Sequence, residues 1–140
     1  MENIKYSEKK EEIDIEKLNL LCKSVGWDRN IKKWDKILSR SSFVCSAWDK
    51  NKMVGFARVL EDGIMCMFYD ICVLPEYQGK GIGKKIMKKL IEKIKNEGYV
   101  SIGLFTWEQN PNNIPFYENL GFERVDSGME LTKYMVRETG

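Results

Sequence analysis

Apolar side chains recur along this chain in two rhythms, strand-like alternation and a helical period of about 3.6, and the switches between them mark the elements. Ile4 to Tyr6 reads as a short opening strand. Ile15, Leu18, Leu21, Cys22 and Val25 share one face of a helix that Gly26 is placed to end. Ile31, Trp34, Ile37 and Leu38 mark a second, shorter helix. Ser42 to Trp48 and Met53 to Leu60 read as antiparallel strands around the polar turn Asp49-Lys50-Asn51-Lys52. Glu61-Asp62-Gly63 turns the chain into a long strand, Ile64 to Leu74, which Pro75 ends.

The clearest helix follows a glycine-rich turn. Ile82, Ile86, Leu90 and Ile94 line one face, flanked by Met87 and Ile91, while lysines take the other, and Gly98 closes it. Ser101 to Thr106 reads as a strand and Asn113 to Asn119 as a short helix. Gly121-Phe122 then leads into final strands near Arg124 and Met129 to Met135. Strands dominate early, with a helical crossover between the fourth and fifth. That order predicts an α+β fold built on one mixed sheet.

Composition narrows the chemistry. The 140 residues read as one domain, 1–140, and 43% apolar with 31% charged residues is a globular balance. At this length roughly 68–70% of the unfolded surface is buried, so a core needs no disulfide or metal. The chain has no histidine, which excludes Ser-His-Asp and Cys-His machinery and any histidine-containing metal site. Its four cysteines form no Cys-x-x-Cys pair, and Cys45, Cys66 and Cys72 sit in apolar runs as small core residues. The longest apolar run, Ile64 to Tyr69, falls far short of the ~20 residues that span a bilayer. The opening MENIKYSEKKEE carries no apolar signal region, so the expectation is a cytoplasmic protein with no membrane partner. A net charge of +2 is too balanced to predict nucleic-acid binding, yet Lys80, Lys84, Lys85, Lys88, Lys89, Lys93 and Lys95 crowd one segment. That crowd is either a solvated helix face or a field that attracts an anion.

Gly79, Gly81 and Gly83 alternate where a strand ends and a helix begins. Such spacing permits positive φ and clears Cβ atoms from a row of amides at the positive end of a helix, a place for phosphate. A P-loop needs four residues between its glycines and then Lys-Ser/Thr, and the dinucleotide fingerprint needs a third glycine where Lys84 stands. Both nucleotide motifs fail on spacing.

Gln78, Gly81 and Gly83 do occupy the pattern Gln-x-x-Gly-x-Gly, which resembles the acyl-CoA pyrophosphate loop of the GNAT superfamily of N-acetyltransferases. Asn110 stands seven residues before Tyr117, and the run Phe116 to Phe122 is similar to that superfamily's Asn…Phe-Tyr-x-x-x-Gly-Phe signature. Asn113 departs from the family's usual alanine without removing a functional group. A narrower resemblance, over Val25 to Trp27, Phe56 to Arg58, Asp70 to Gly79 and Phe116 to Phe122, points to the plastid and bacterial branch that includes serotonin N-acetyltransferase-like proteins.

The resemblance implies the acyl-CoA N-acyltransferase fold, a mostly antiparallel sheet flanked by helices, with acetyl-CoA as co-substrate and no metal. It implies that the strands ending near Leu74 and Thr106 splay, so that the backbones of Ile71 and Val73 pair with the pantetheine arm. The amides of Gln78, Gly79, Lys80, Gly81, Ile82, Gly83 and Lys84 would hold the pyrophosphate, and Asn110 would reach toward the pantetheine. Tyr117 is the candidate general acid for the departing thiolate. Asp70 is the best-placed carboxylate for a base, with an ion pair to Arg58 as its alternative role, and Glu108 is a weaker candidate. Trp27, Trp34 and Tyr134 are candidate walls for the acceptor.

The expected reaction is acetyl transfer to the primary amine of a small molecule. The alternatives are a protein lysine or N-terminus as acceptor, and a non-enzymatic module that binds CoA or nucleic acid. A homodimer is left open.

Overall fold

The computed structural model describes residues 3–27, 33–106, 109–126 and 128–135. Its frame is one five-stranded sheet in the order β1-β2-β3-β4-β5: β1 Ile4–Ser7, β2 Phe43–Asp49, β3 Lys52–Glu61, β4 Met65–Val73 and β5 Ser101–Gly103. The first four strands pair antiparallel, and β5 joins β4 in parallel after the crossover helix α3, Ile82–Ile94. Helices α1, Ile15–Ser24, and α2, Trp34–Arg40, precede β2, and α4, Asn113–Glu118, follows β5.

Local chemistry explains the boundaries. The Asp14 carboxylate accepts the Lys17 amide at 3.1 Å and caps α1. The β2–β3 hairpin turns on Lys50 and Asn51, and Asp62 accepts the Ile64 and Met65 amides at 2.9 and 2.8 Å to set the next turn.

Consecutive residues of β2 and β3 point to opposite faces, and both faces are covered. Val44 and Phe56 join Leu18, Leu21, Cys22 and Trp34 beneath α1 and α2. Cys45, Ala57 and Val59 join Ile82, Ile86 and Leu90 beneath α3. This double burial is why β3 reads as an almost continuous apolar run. Cys22, Cys45, Cys66 and Cys72 are all buried, and burial lifts the Cys45 thiol to about 12 and the Cys66 thiol to about 11. These are inert core side chains.

Gly55 lets α3 approach the sheet. A Cβ there would lie 2.8 Å from Ile86 Cδ1 and 3.2 Å from Ile82 Cγ2. Gly55→Ala is therefore expected to destabilise by about 1–3 kcal/mol through overpacking. A melting temperature equal to that of the parent would show that the two isoleucines yield freely.

Three sequence expectations need correction. β5 ends at Gly103 rather than Thr106, and α3 ends at Ile94, short of Gly98. Among the described residues no strand follows β5. Near the chain end a short 3-10 turn, Thr132–Tyr134, stands where the strand Met129 to Met135 was expected. Met129 is 96% exposed and Leu131 65%, so the alternation there has no face to bury. Alternation signals a strand only when one side is covered.

Candidate active site

The site begins where β4 loses its neighbour. The parallel ladder runs from Met65 opposite Ser101 to Met67 opposite Gly103 and goes no further. The Leu74 amide donates to the Val54 carbonyl at 2.9 Å, so by alternation the backbones of Ile71 and Val73 face away from β3. That is the β5 side of the strand, where the ladder with β5 has already ended at Met67.

A bulge shapes this edge. Between Phe56 opposite Cys72 and Arg58 opposite Tyr69, β4 holds one residue more than β3. Asp70 sits in it with φ 57°, a left-handed conformation uncommon for a non-glycine residue. Arg58 Nε donates to Asp70 Oδ2 at 2.6 Å, with side chains only 16% and 6% exposed. The guanidinium also lies 4.8 Å from the Tyr69 ring centroid. The pairing with Arg58 anticipated from the sequence is present, and it ties the bulge to β3.

After β4, Pro75–Tyr77 makes one 3-10 turn, and Gln78 Nε2 folds back to donate to the Val73 carbonyl at 2.9 Å. Gly79 and Gly81 take φ 78° and 86°, where a Cβ would meet nothing within 4 Å. Their requirement is conformational, a positive φ that glycine adopts without cost, the backbone form from which an amide nest for an anion is built. Gly83 differs. A Cβ there would come within 3.3 Å of Phe116 Cζ and 3.5 Å of Val73 Cγ2, so it permits the close packing of α3 against α4. Ile82 is buried, which leaves only its backbone for a ligand.

The lysine crowd divides. Lys85 and Lys89 lean over the Tyr6 ring at 5.1 and 5.7 Å, Lys93 pairs with Glu8 at 3.5 Å, and Lys95 pairs with Glu92 at 3.0 Å. Lys84 and Lys88 stay exposed beside Gly81 in a shallow basic cleft. Positive charge thus collects beside Gly81 at the start of α3.

Tyr117 stands across from these elements on α4. Its ring meets Phe116 at 5.0 Å and Phe122 at 5.9 Å, both edge-on. Burial lifts its phenol to about 12, with the Cys72 thiol adding to the rise. Asn110 shapes the entry to α4: its Oδ1 accepts the Asn112 amide at 3.0 Å and its carbonyl accepts the Asn113 amide at 3.2 Å.

The aromatic walls expected for an acceptor do not assemble. Trp34 is fully buried, edge-on to Phe56 at 6.2 Å, and belongs to the core. Trp27 packs partly buried against that same cluster, whereas Tyr134 is 74% exposed. Glu108 lies outside the described residues. Two contacts had no sequence signal: the Gln78 fold-back and a hydrogen bond from Tyr77 to Asp49.

The elements present suit acetyl-CoA. A positive-φ glycine turn with lysines beside it could take a pyrophosphate, and the stretch of β4 past its ladder with β5 could take an amide-bearing arm. Among the described residues no helix is long and apolar enough to cross a membrane.

Comparison with known proteins agrees with this geometry. The model of the acetyltransferase (GNAT) family matches residues 12–122. The chain is 35% identical over 131 residues to the uncharacterized N-acetyltransferase ycf52 of Porphyra purpurea, covering 89% of this chain and 74% of that one. It is 30% identical over 141 residues to GCN5-related N-acetyltransferase 2, chloroplastic, of Arabidopsis thaliana, covering 85% of this chain and 54% of the relative. A solved GNAT family acetyltransferase from Streptococcus pneumoniae matches with a TM-score of 0.79 at 29% identity, over 96% of this chain and 99% of that one.

Proposed function

This chain belongs to the acetyltransferase (GNAT) family, and from that premise we propose that it transfers acetyl from acetyl-CoA to a primary amine by direct attack, with Tyr117 as general acid. The observation that carries the reading is the positive φ of Gly79 and Gly81 at the start of α3, next to the part of β4 where pairing with β5 has ended.

Acetyl-CoA supplies the activated thioester. The amides of Gln78 to Lys84 hold its pyrophosphate, helped by the charges of Lys80 and Lys84, and Gln78 itself fixes the loop to Val73. The backbones of Ile71 and Val73 align the pantetheine arm, an amide near Val73 polarises the thioester oxygen, and Asn110 borders the same arm. Tyr117, kept protonated by burial, delivers its proton to the leaving sulfur. A thiolate leaving into the same dry surroundings is raised in pKa by the same cause, which keeps the transfer feasible.

An alkylamine of pKa near ~10 costs roughly 4 kcal/mol to deprotonate at neutral pH. We assign Asp70 to positioning rather than to that task, because Arg58 already holds it. Asp70→Asn should lower stability by about 1–3 kcal/mol and leave the shape of the pH–rate profile intact. A neutral-pH rate loss that recovers as pH approaches the amine's own pKa would instead make Asp70 the base.

The acceptor we favour is a small amine. A protein lysine or N-terminal amine is the second reading, favoured by the burial of Trp34 and the exposure of Tyr134, which leave an open surface in place of an aromatic pocket. A screen of free amines and peptides scored by CoA release decides between them. Release with neither class would overturn the amine reading. We keep the cytoplasm as the location; the Arabidopsis relative is named chloroplastic, so a plastid is the competing compartment.

A further inference from the structure

Tyr77 immediately precedes Gln78 and closes the 3-10 turn that leads into the glycine loop. Its hydroxyl donates to Asp49 Oδ2 at 2.6 Å. Asp49 is the last residue of β2 and faces Lys52 across the hairpin, so this bond crosses from the loop to a rigid part of the sheet. Two ammonium groups approach the Tyr77 ring, Lys52 Nζ at 5.5 Å and Lys80 Nζ at 5.9 Å from its centroid. Lys80 is itself a loop residue. One aromatic side chain therefore anchors the loop to the hairpin and sets where a loop lysine rests.

We propose that Tyr77 and Asp49 form a brace that orients the pyrophosphate loop, which makes Tyr77 a positioning residue that governs acetyl-CoA binding rather than the chemical step. This rests on the loop's assignment to pyrophosphate. Gln78 alone ties the loop only to Val73, its own strand end. Without the second tie the residues between the 3-10 turn and buried Ile82 are less restrained, and their amides lose alignment with a bound anion. The brace also restrains the Asp49 charge. Accepting the phenol engages Asp49 Oδ2 in a charge-assisted hydrogen bond, and a neutral amide oxygen at the same place also accepts the hydroxyl.

Tyr77→Phe keeps the ring and removes the bond. Calorimetry with acetyl-CoA and steady-state rates should give Kd and KM raised about three- to tenfold, with kcat within about twofold. Asp49→Ala should give the same split, and the double variant should lose no more than either single change. Asp49→Asn keeps an accepting oxygen and discards the charge, so it should bind at least as well as the parent. A merely structural role would lower the melting temperature in all three single variants without separating KM from kcat. Parental Kd in Tyr77→Phe and Asp49→Ala, or a fall in kcat at constant KM, overturns the brace. Failure of the parent protein to bind acetyl-CoA would instead overturn the loop assignment, so the two failures are distinct.

Discussion

Gly81→Asp will bind acetyl-CoA roughly 5- to 1,000-fold more weakly than the parent enzyme while remaining folded. Two costs arise. Gly81 holds φ 86°, a left-handed conformation that costs a residue with a Cβ roughly 1–2 kcal/mol. The carboxylate also enters the amide row, and two like charges about 4 Å apart repel by ~1 kcal/mol in water and ~4 kcal/mol near a protein surface. Only the repulsion enters Kd, about 1–4 kcal/mol or roughly 5- to 1,000-fold, while the conformational cost falls on stability. No atom lies within 4 Å of the added Cβ, so the fold itself is not crowded. Gly81→Asn separates the terms, because asparagine tolerates the left-handed region and carries no charge; it should lose only a few-fold. Gly83→Asp should weaken binding as well, but through a displaced Phe116, and so with a measurable loss of stability. Equal Kd values for Gly81→Asp, Gly81→Asn and the parent would remove the loop from the phosphate site.

These contrasts show which parts of the molecule the residues announce in advance. The helix α3 was legible because Ile82, Ile86, Leu90 and Ile94 stack on one face and lysines on the other, a pattern few alternatives satisfy. The glycine loop was legible as a loop, yet its three glycines have two different reasons, and only packing separates the close contact of Gly83 from the positive φ of Gly79 and Gly81. Trp34 shows the limit for side chains. Its position on an apolar helix face fits a pocket wall and a core residue equally, and complete burial against Phe56 decides for the core. The bulge at Asp70 could not be read, since nothing in a run of strand-forming residues marks the place where one extra residue is inserted. Long-range bonds such as Tyr77 to Asp49 have no local signature at all, because the two residues meet only after the hairpin has closed.

Tyr117→Phe will fold, bind acetyl-CoA and turn over about 10²–10⁴-fold more slowly, a barrier increase of roughly 3–5.5 kcal/mol. The ring remains, and with it the edge-on contacts to Phe116 at 5.0 Å and Phe122 at 5.9 Å, so stability should hardly move. Affinity for acetyl-CoA should also hold, since one neutral hydrogen bond contributes only about 0.5–1.5 kcal/mol net. What disappears is the proton for the departing thiolate. The direction of the phenol's pKa adds a second readout. Burial, reinforced by the Cys72 thiol, raises it to about 12, so the acid form persists through the pH range near ~10 where an ordinary phenol ionises. The parent's rate should therefore rise with pH as the amine loses its proton, with no fall near pH ~10 from loss of the acid. A descending limb there would mean an unburied phenol in the working enzyme. Near-parental turnover of Tyr117→Phe with a reactive amine would mean that water or the amine's own proton serves the sulfur. Tyr117 would then be a core residue of the Phe116–Phe122 cluster and nothing more.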